Sequence, residues 1–129
     1  MTATIVHRGR WTRADRARDS WPRLPFELPA GCPALTVELE YDPAGGAVID
    51  LGCAGPAGWR GWSGAARRRF VITAEAATPG YRPGELEAGA WHVVLGLHRL
   101  PADGTPFTVT ISTGAAAPPD PPAEPPVPD

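Results

Sequence analysis

The sequence predicts an all-β fold, an antiparallel β-sandwich or jelly-roll of about six to eight strands. Three observations favour it. Short segments alternate apolar and polar residues, turn residues separate them, and no βαβ rhythm or internal repeat occurs. The 15 Gly and 17 Pro of the 129 residues supply much of that punctuation, and a hydrophobic content of 43% is enough for one packed core.

The segment LTVELEY gives the clearest strand signal. Leu35, Val37 and Leu39 fall on one face, and the two Glu of the segment fall on the other, so one face is expected to be buried and the other wet. The sequence DPAGG that follows is typical of a turn. The next segment, AVIDLGCAG, is therefore predicted to return as the hairpin-like partner of LTVELEY.

Further strands are predicted on either side of this pair. They include TATIVHRGRWT, ending near Trp11, and the later segments RRFVITAEA and FTVTIS. The piece WPRLPFELP contains three Pro, which assigns it to a sheet edge or an irregular strand. In AWHVVLGLHRL, Val94 lies on the face opposite Trp91 and Val93, which indicates a central strand covered on both sides. The polar piece RADRARDS between the first two strands predicts a loop or a short helical turn.

The sequence predicts a β-sandwich domain at residues 1–114 and a Pro-rich linker or tail at residues 115–129. Seven of the twelve residues in PPDPPAEPPVPD, residues 118–129, are Pro. This piece has no alternating apolar pattern to bury. It is predicted to be a disordered, extended spacer of the polyproline type.

Composition and charge narrow the expected setting. The N-terminal residues lack the apolar core of a signal peptide, and no apolar run reaches the length of a membrane span, so a cytoplasmic protein is expected. In that compartment Cys32 and Cys53 should stay reduced and serve as small structural residues. The formal charge is −2. The basic run of residues 67–69 has no wider basic stripe around it, so neither nucleic acid nor a membrane is an expected partner.

No catalytic, metal-ligating or cofactor-binding residue is predicted, and no cofactor is expected. Ser63 in GWSGA resembles the G-x-S-x-G nucleophile elbow, but Ala65 stands at the last position and no strand–turn–helix setting is indicated. His92 and His98 lie on one strand about 20 Å apart. They cannot share one metal ion, whose nitrogen ligands must lie within about 2.1 Å of it.

The candidate site lies in GWRGWSGAARRRFVITAEAATPGYRPG, residues 58–84. Two interpretations are open. In the structural one, Arg60 to Gly64 form a rigid inter-strand loop, with Arg60 held between aromatic rings and backbone carbonyls. In the binding one, Trp59, Trp62 and Tyr81 form a stacking platform for a sugar or similar ring. The first interpretation requires Trp59 and Trp62 buried or in an interface, and the second requires them side by side and exposed. The candidate interface or structural residues are Trp59, Arg60, Trp62, Ser63, Tyr81 and Arg82.

About half of the chain resembles a known family. The pieces that carry the resemblance, in this order, are Asp50–Gly52, Arg60–Gly64, Ala77–Tyr81, Pro83–Gly84 and Gly89–Trp91. Together they resemble the N-terminal β-domain of bacterial PHP-superfamily metallohydrolases, in the carbaryl-hydrolase-like (CehA/McbA) branch.

The resemblance implies a non-catalytic accessory domain that precedes a metal-dependent phosphoesterase or related hydrolase domain. In that family an H-x-H motif and further His and Asp ligands hold the metal cluster, and a Pro-rich linker leads into the catalytic part. No H-x-H occurs in this sequence, so no catalytic residue is carried over. The expected partner is a PHP-type catalytic domain, in cis or in trans, or a second copy of this chain. The alternative function is a ligand-binding module for a glycan-like ring.

Overall fold

The fold is an antiparallel β-sandwich of two four-stranded sheets, seen in a computed structural model that describes residues 3–114. The predicted tail, residues 115–129, lies outside the described residues. The strands are β1 Ala3–Trp11, β2 Arg23–Leu28, β3 Ala34–Tyr41, β4 Val48–Gly55, β5 Gly58–Gly64, β6 Arg69–Thr73, β7 Gly89–Arg99 and β8 Thr105–Thr113; a helix α1 spans Arg13–Arg18 and a 3₁₀ turn spans Ala44–Gly46. The predicted all-β class is confirmed.

The strand order is that of a jelly-roll. One sheet has the order β1-β8-β3-β6 and the other has the order β2-β7-β4-β5. The first four strands therefore pair with the last four in reverse, β1 with β8, β2 with β7, β3 with β6 and β4 with β5. This pattern is a long antiparallel ribbon wrapped around one core, with two Greek-key connections.

The expected hairpin between LTVELEY and AVIDLGCAG is wrong. These segments form β3 and β4, which lie in different sheets: β3 pairs with β6 and β8, and β4 pairs with β5 and β7. The DPAGG connection, which includes the 3₁₀ turn, carries the chain from one sheet to the other. The alternation of apolar and polar residues predicted each strand correctly, but it does not show which strands pair. Two strands that bury one face in a shared core have the same alternating pattern whether or not they are neighbours in a sheet.

The core lies between the two sheets and consists of alternate residues from both. Leu35, Val37 and Leu39 of β3 are buried, and so are Trp91 and Val93 of β7. Val94, on the opposite face of β7, is only 1% exposed. Strand β7 is hydrogen-bonded to β2 and β4, so it is central, and its outer face is covered as the sequence predicted.

The sequence also predicted part of the structure of the segment between β1 and β3, which contains α1 and β2. The Pro-containing segment forms β2, an edge strand whose Leu24, Phe26 and Leu28 point into the core. The RADRARDS piece begins with the short helix α1, which is capped by Thr12. The Thr12 hydroxyl accepts a hydrogen bond from the Asp15 backbone N–H, and the Asp15 carboxylate accepts one from the Thr12 backbone N–H.

Deleting a large side chain from the central strand should strongly destabilise the sandwich. Leu95→Ala in β7 should cost about 2–5 kcal/mol of unfolding free energy, because Leu95 is fully buried and leaves a cavity. The matched control is Val6→Ala in β1, where the side chain is 47% exposed and a change within about 0.5 kcal/mol is expected. Urea denaturation of both variants measures the difference; equal effects would contradict the assigned core.

Candidate functional site

Residues 58–64 form a strand, β5, and the expectation of an inter-strand loop at Arg60–Gly64 is wrong. Strand β5 lies at the edge of its sheet and pairs with β4, with register shifts between Leu51 and Gly52 and between Cys53 and Ala54. Gly residues at 58, 61 and 64 looked like loop signals. In the structure they accompany an irregular edge strand, which is the other setting in which Gly is frequent.

A second segment covers the free edge of β5. The Trp62 N–H donates to the Gly80 carbonyl at 3.1 Å, and the Arg82 N–H donates to the Arg60 carbonyl at 2.8 Å. A Cβ at Gly61 would lie 2.6 Å from the Tyr81 Cα, so only Gly permits this approach. The edge that would otherwise be open to pairing is thus partly closed by the chain itself.

Arg60 is buried and ties this covering segment to the core, as the structural interpretation predicted. Its guanidinium donates to the carbonyls of Arg82, Gly84 and Glu85 at 3.0, 3.2 and 3.1 Å. Its Cζ lies 5.2 Å from the centre of the Trp91 ring. Only 6% of Arg60 is exposed. A planar fork with five donors can satisfy several carbonyls at once, which a lysine could not do.

Tyr81 belongs to the core and not to a surface platform. Its ring stacks on Phe70 with centroids 4.1 Å apart and an interplanar angle of 16°. Its hydroxyl donates to the Leu51 carbonyl at 3.2 Å and shares a 2.8 Å hydrogen bond with Ser63 Oγ. Burial raises the pKa of Tyr81 well above its usual value. The expectation of an exposed Trp59–Trp62–Tyr81 platform is therefore wrong for Tyr81. The predicted site residue Ser63 bonds the Tyr81 hydroxyl and the Leu51 carbonyl, so its hydroxyl also serves internal packing.

The two candidate tryptophans instead meet a third one, Trp21. Trp59 is 50% exposed, Trp21 is 54% exposed, and Trp62 lies between them, partly buried. The centroid of Trp62 lies 5.3 Å from that of Trp21 at an interplanar angle of 57°, and 6.0 Å from that of Trp59 at 89°. These indoles and two residues of the sheet line a groove of about 540 Å³, here called the tryptophan groove: Trp21, Arg23, Trp59, Trp62 and Val94.

The floor of the tryptophan groove is made by small residues on the two central strands. A Cβ at Gly52 would lie 2.3 Å from the Trp62 ring, and one at Gly96 would lie 2.7 Å from the Trp21 ring. Across the sheet, Arg23 is opposite Val94, which is opposite Gly52, which is opposite Trp62. Both indoles therefore pack closely against glycines, and together with Val94 they line an apolar groove on the outside of the sandwich.

Sequence reasoning missed Trp21, although a signal was present. Residues 21, 23, 25 and 27 alternate with the core residues of β2, so Trp21 shares its outer face with Arg23. The backbone confirms the continuation: the Leu97 N–H donates to the Ser20 carbonyl and the Leu95 N–H to the Pro22 carbonyl. The predicted site residue Arg82 lies beside β5, where its exposed guanidinium donates to the Trp59 carbonyl, but it does not line the tryptophan groove. Arg68 of the basic run lies elsewhere, over the ring of Tyr41 on the other sheet.

The ionisable groups near the site include one perturbed carboxyl and one perturbed thiol. Burial raises the pKa of Asp50, against the opposing effect of the His98 charge. Burial raises the pKa of the Cys53 thiol to about 12, so this free cysteine stays protonated at neutral pH. Within residues 3–114, no group of three His, Cys, Asp or Glu side chains could hold a metal ion, and no helix is long and apolar enough to cross a membrane.

No protein-family model and no curated protein matches the chain. The function is therefore inferred from the geometry of the tryptophan groove and from the chemistry of the residues that line it.

Removing the donors of Arg60 should destabilise the domain more than removing those of its neighbour. Arg60→Met keeps most of the side-chain volume but leaves three carbonyls without their donor, and should cost about 2–4 kcal/mol of unfolding free energy. The matched control, Arg82→Met, removes one exposed bond and should cost less than about 1 kcal/mol. Chemical denaturation of the two variants checks this; a larger loss for Arg82→Met would contradict the role given to Arg60.

The raised pKa of Asp50 predicts a pH effect of definite sign. Because the folded state favours the protonated carboxyl, the folded chain binds more protons than the unfolded chain just above pH 3.8, and stability falls as the pH rises through this range. Asp50→Asn should remove this dependence and raise stability at pH 7. Denaturation curves of both proteins at pH values from 3 to 7 measure it. Parallel pH profiles, or a less stable Asp50→Asn at pH 7, would contradict the prediction.

Proposed function

We propose that this chain is a non-catalytic interaction domain that binds a protein partner through the tryptophan groove. The observation that carries the proposal is the pair of half-exposed indoles, Trp21 and Trp59, joined by Trp62 over a buried Val94. Covering exposed aromatic side chains with a partner removes them from water, and this burial stabilises the complex. Trp and Arg are also the residues that most often dominate the energy of protein interfaces, and Arg23 lines the same groove.

The shape of the tryptophan groove favours a protein over a sugar ring. A flat sugar face needs indoles that lie nearly in one plane, whereas Trp59 stands edge-on to Trp62 at 89° and Trp21 is tilted to it by 57°. Rings at such angles leave clefts between them. Clefts accept protruding side chains, as the aromatic pockets of peptide- and protein-binding domains do.

The partner that we propose is a PHP-type metal-dependent hydrolase domain, in cis or in trans, as the sequence resemblance implies. In this arrangement hydrolysis belongs to the partner, and this chain acts as its accessory domain. The motif pieces that carry the resemblance support the division of roles. Three of their side chains make internal contacts: those of Arg60, Tyr81 and Trp91. These contacts hold the strand that carries Trp59 and Trp62.

The test is a binding measurement with a PHP-type hydrolase domain prepared as a separate protein. Calorimetry with the full chain should give saturable binding. Trp59→Ala should weaken the affinity at least about tenfold, because an exposed aromatic anchor is lost without loss of the core. Val6→Ala, which removes the other large exposed apolar side chain on the opposite sheet, is the matched control and should bind as the parent chain does.

Three outcomes would overturn the proposal in different ways. Equal binding by the parent and by Trp59→Ala would move the interface away from the tryptophan groove. Saturable quenching of the indole fluorescence by saccharides, lost in Trp59→Ala, would favour the ring-binding alternative. A dimer of this chain that Trp59→Ala dissociates would show that the groove joins two copies.

A further inference from the structure

We infer that the tryptophan groove also has an internal ligand, the Pro-rich tail of the same chain, residues 118–129. This inference rests on the proposed function in one respect: the tryptophan groove must be a binding surface. It adds that the groove is occupied in cis by a polyproline-type segment, so that an outside partner must displace the tail to dock.

The first support is the form of the binding surface. A second cavity of about 520 Å³ adjoins the tryptophan groove, shares Arg23 and Trp59 with it and extends to Ala54, His92 and the turn of residues 55–58. Two adjoining cavities with indole rings at steep angles between them suit a polyproline II helix. Such a helix presents a ridge of Pro rings every three residues, and aromatic-lined grooves bind it with little loss of conformational entropy.

The second support is the chemistry of the tail. Residues 118–129 contain Pro pairs at 118–119, 121–122 and 125–126, which favour the polyproline II conformation. Their three charged residues, Asp120, Glu124 and Asp129, are all acidic. The lack of an alternating apolar pattern, which predicts a spacer, is no obstacle here, because the Pro rings themselves supply the apolar surface.

One positive charge lines both cavities and can pair with this acidic tail. Arg23 lines both of them, whereas the Asp50 carboxylate lines a separate cavity together with Trp21. Glu27 shares the outer face of β2 with Arg23 and lies opposite Ala90 of the second cavity, but Glu27 itself lines neither cavity. The imidazole of His92 lies in the wall of the second cavity and offers a polar contact there.

The third support is reach. The Gly114 N–H donates to the Ala34 carbonyl, so the described chain ends at the end of the sandwich where β2 passes to β3. The second cavity opens at this end, since it is lined by Ala90 and by the turn that follows β4. Residues 115–129 span about 46 Å as polyproline II. The path around the sandwich needs about 10 Å for the spacing of the sheets and a similar length along the sheet, which residues 115–120 can cover, so the Pro pairs at 121–122 and 125–126 can reach the cavities.

If the tail docks, it competes with outside ligands for the tryptophan groove. While the tail is bound, the groove is closed to other ligands, and the apparent affinity for a partner falls in proportion to the fraction of open molecules. A partner that binds tightly, or one that removes the tail, would release the groove.

The experiment compares two versions of the 129-residue chain by NMR of the Trp indole N–H signals. In one protein the tail carries four substitutions that loosen the polyproline conformation and keep every charge: Pro121→Gly, Pro122→Gly, Pro125→Gly and Pro126→Gly. The Trp59 and Trp62 signals should differ between this tail variant and the parent chain. The signals of Trp11, which stacks on Phe107 on the other sheet, and of Trp91, which is in the core, should coincide and serve as internal controls.

A peptide of residues 115–129 then tests recognition directly. Added to the tail variant, it should saturably move the Trp59 and Trp62 signals toward their positions in the parent chain. The same peptide with the four Gly replacements should not. Trp59→Ala in the tail variant should weaken the peptide about tenfold, and Arg23→Gln should weaken it and reduce its salt dependence.

Each result has a distinct meaning. Coincident Trp59 and Trp62 signals in the two versions of the chain, with no peptide-induced shift, overturn the inference and leave the proposed function in place if the PHP-type domain still binds. Signals that depend on protein concentration overturn docking in cis in favour of exchange between copies. Peptide binding without any binding of the PHP-type domain upholds the inference and overturns only the proposed partner.

Discussion

The buried Arg60 guanidinium is the contact on which the site depends. Its three hydrogen bonds to the carbonyls of Arg82, Gly84 and Glu85 fix the segment that runs along the free edge of β5. The ring of Trp91 closes its other side. Because β4 is the only ladder partner of β5, the free edge of β5 is held by this segment, and Arg60 anchors the segment. The strand that carries Trp59 and Trp62 is therefore fixed on both sides.

The tryptophan groove depends on an interruption of the regular inward and outward alternation of side chains along β5. Strand β5 should place every second residue outward, yet its register shifts against β4 bring both Trp59 and Trp62 to the outer face. Gly52 and Gly96 then accept the Trp62 and Trp21 rings where any Cβ would collide with them. The lack of a side chain at these two positions leaves room for the indole rings. Glycines, which usually weaken a strand, therefore make the binding surface possible.

This arrangement separates the stabilising aromatic residues from the recognising ones. Trp91, Phe70 and Tyr81 are buried and belong to the core, while Trp21 and Trp59 spend about half of their surface on solvent. A single sandwich with one rigid face and an acidic Pro-rich segment at its end would form a regulated docking module. The groove would then respond to the tail, to a partner domain, or to both in competition, with no change in the fold itself.

The sequence by itself determined the fold class, most strands and the internal role of Arg60. Alternation at Leu35, Val37 and Leu39 needs only local information, and so does the second apolar face at Val94, because side-chain direction in a strand has period two. The pairing of β3 and β4 with other strands, the burial of Tyr81 and the meeting of Trp21 with Trp62 were decided by the tertiary structure. Those contacts join residues far apart in the chain, and no local pattern records which sheet a strand enters or which side chains the wrapped ribbon brings together.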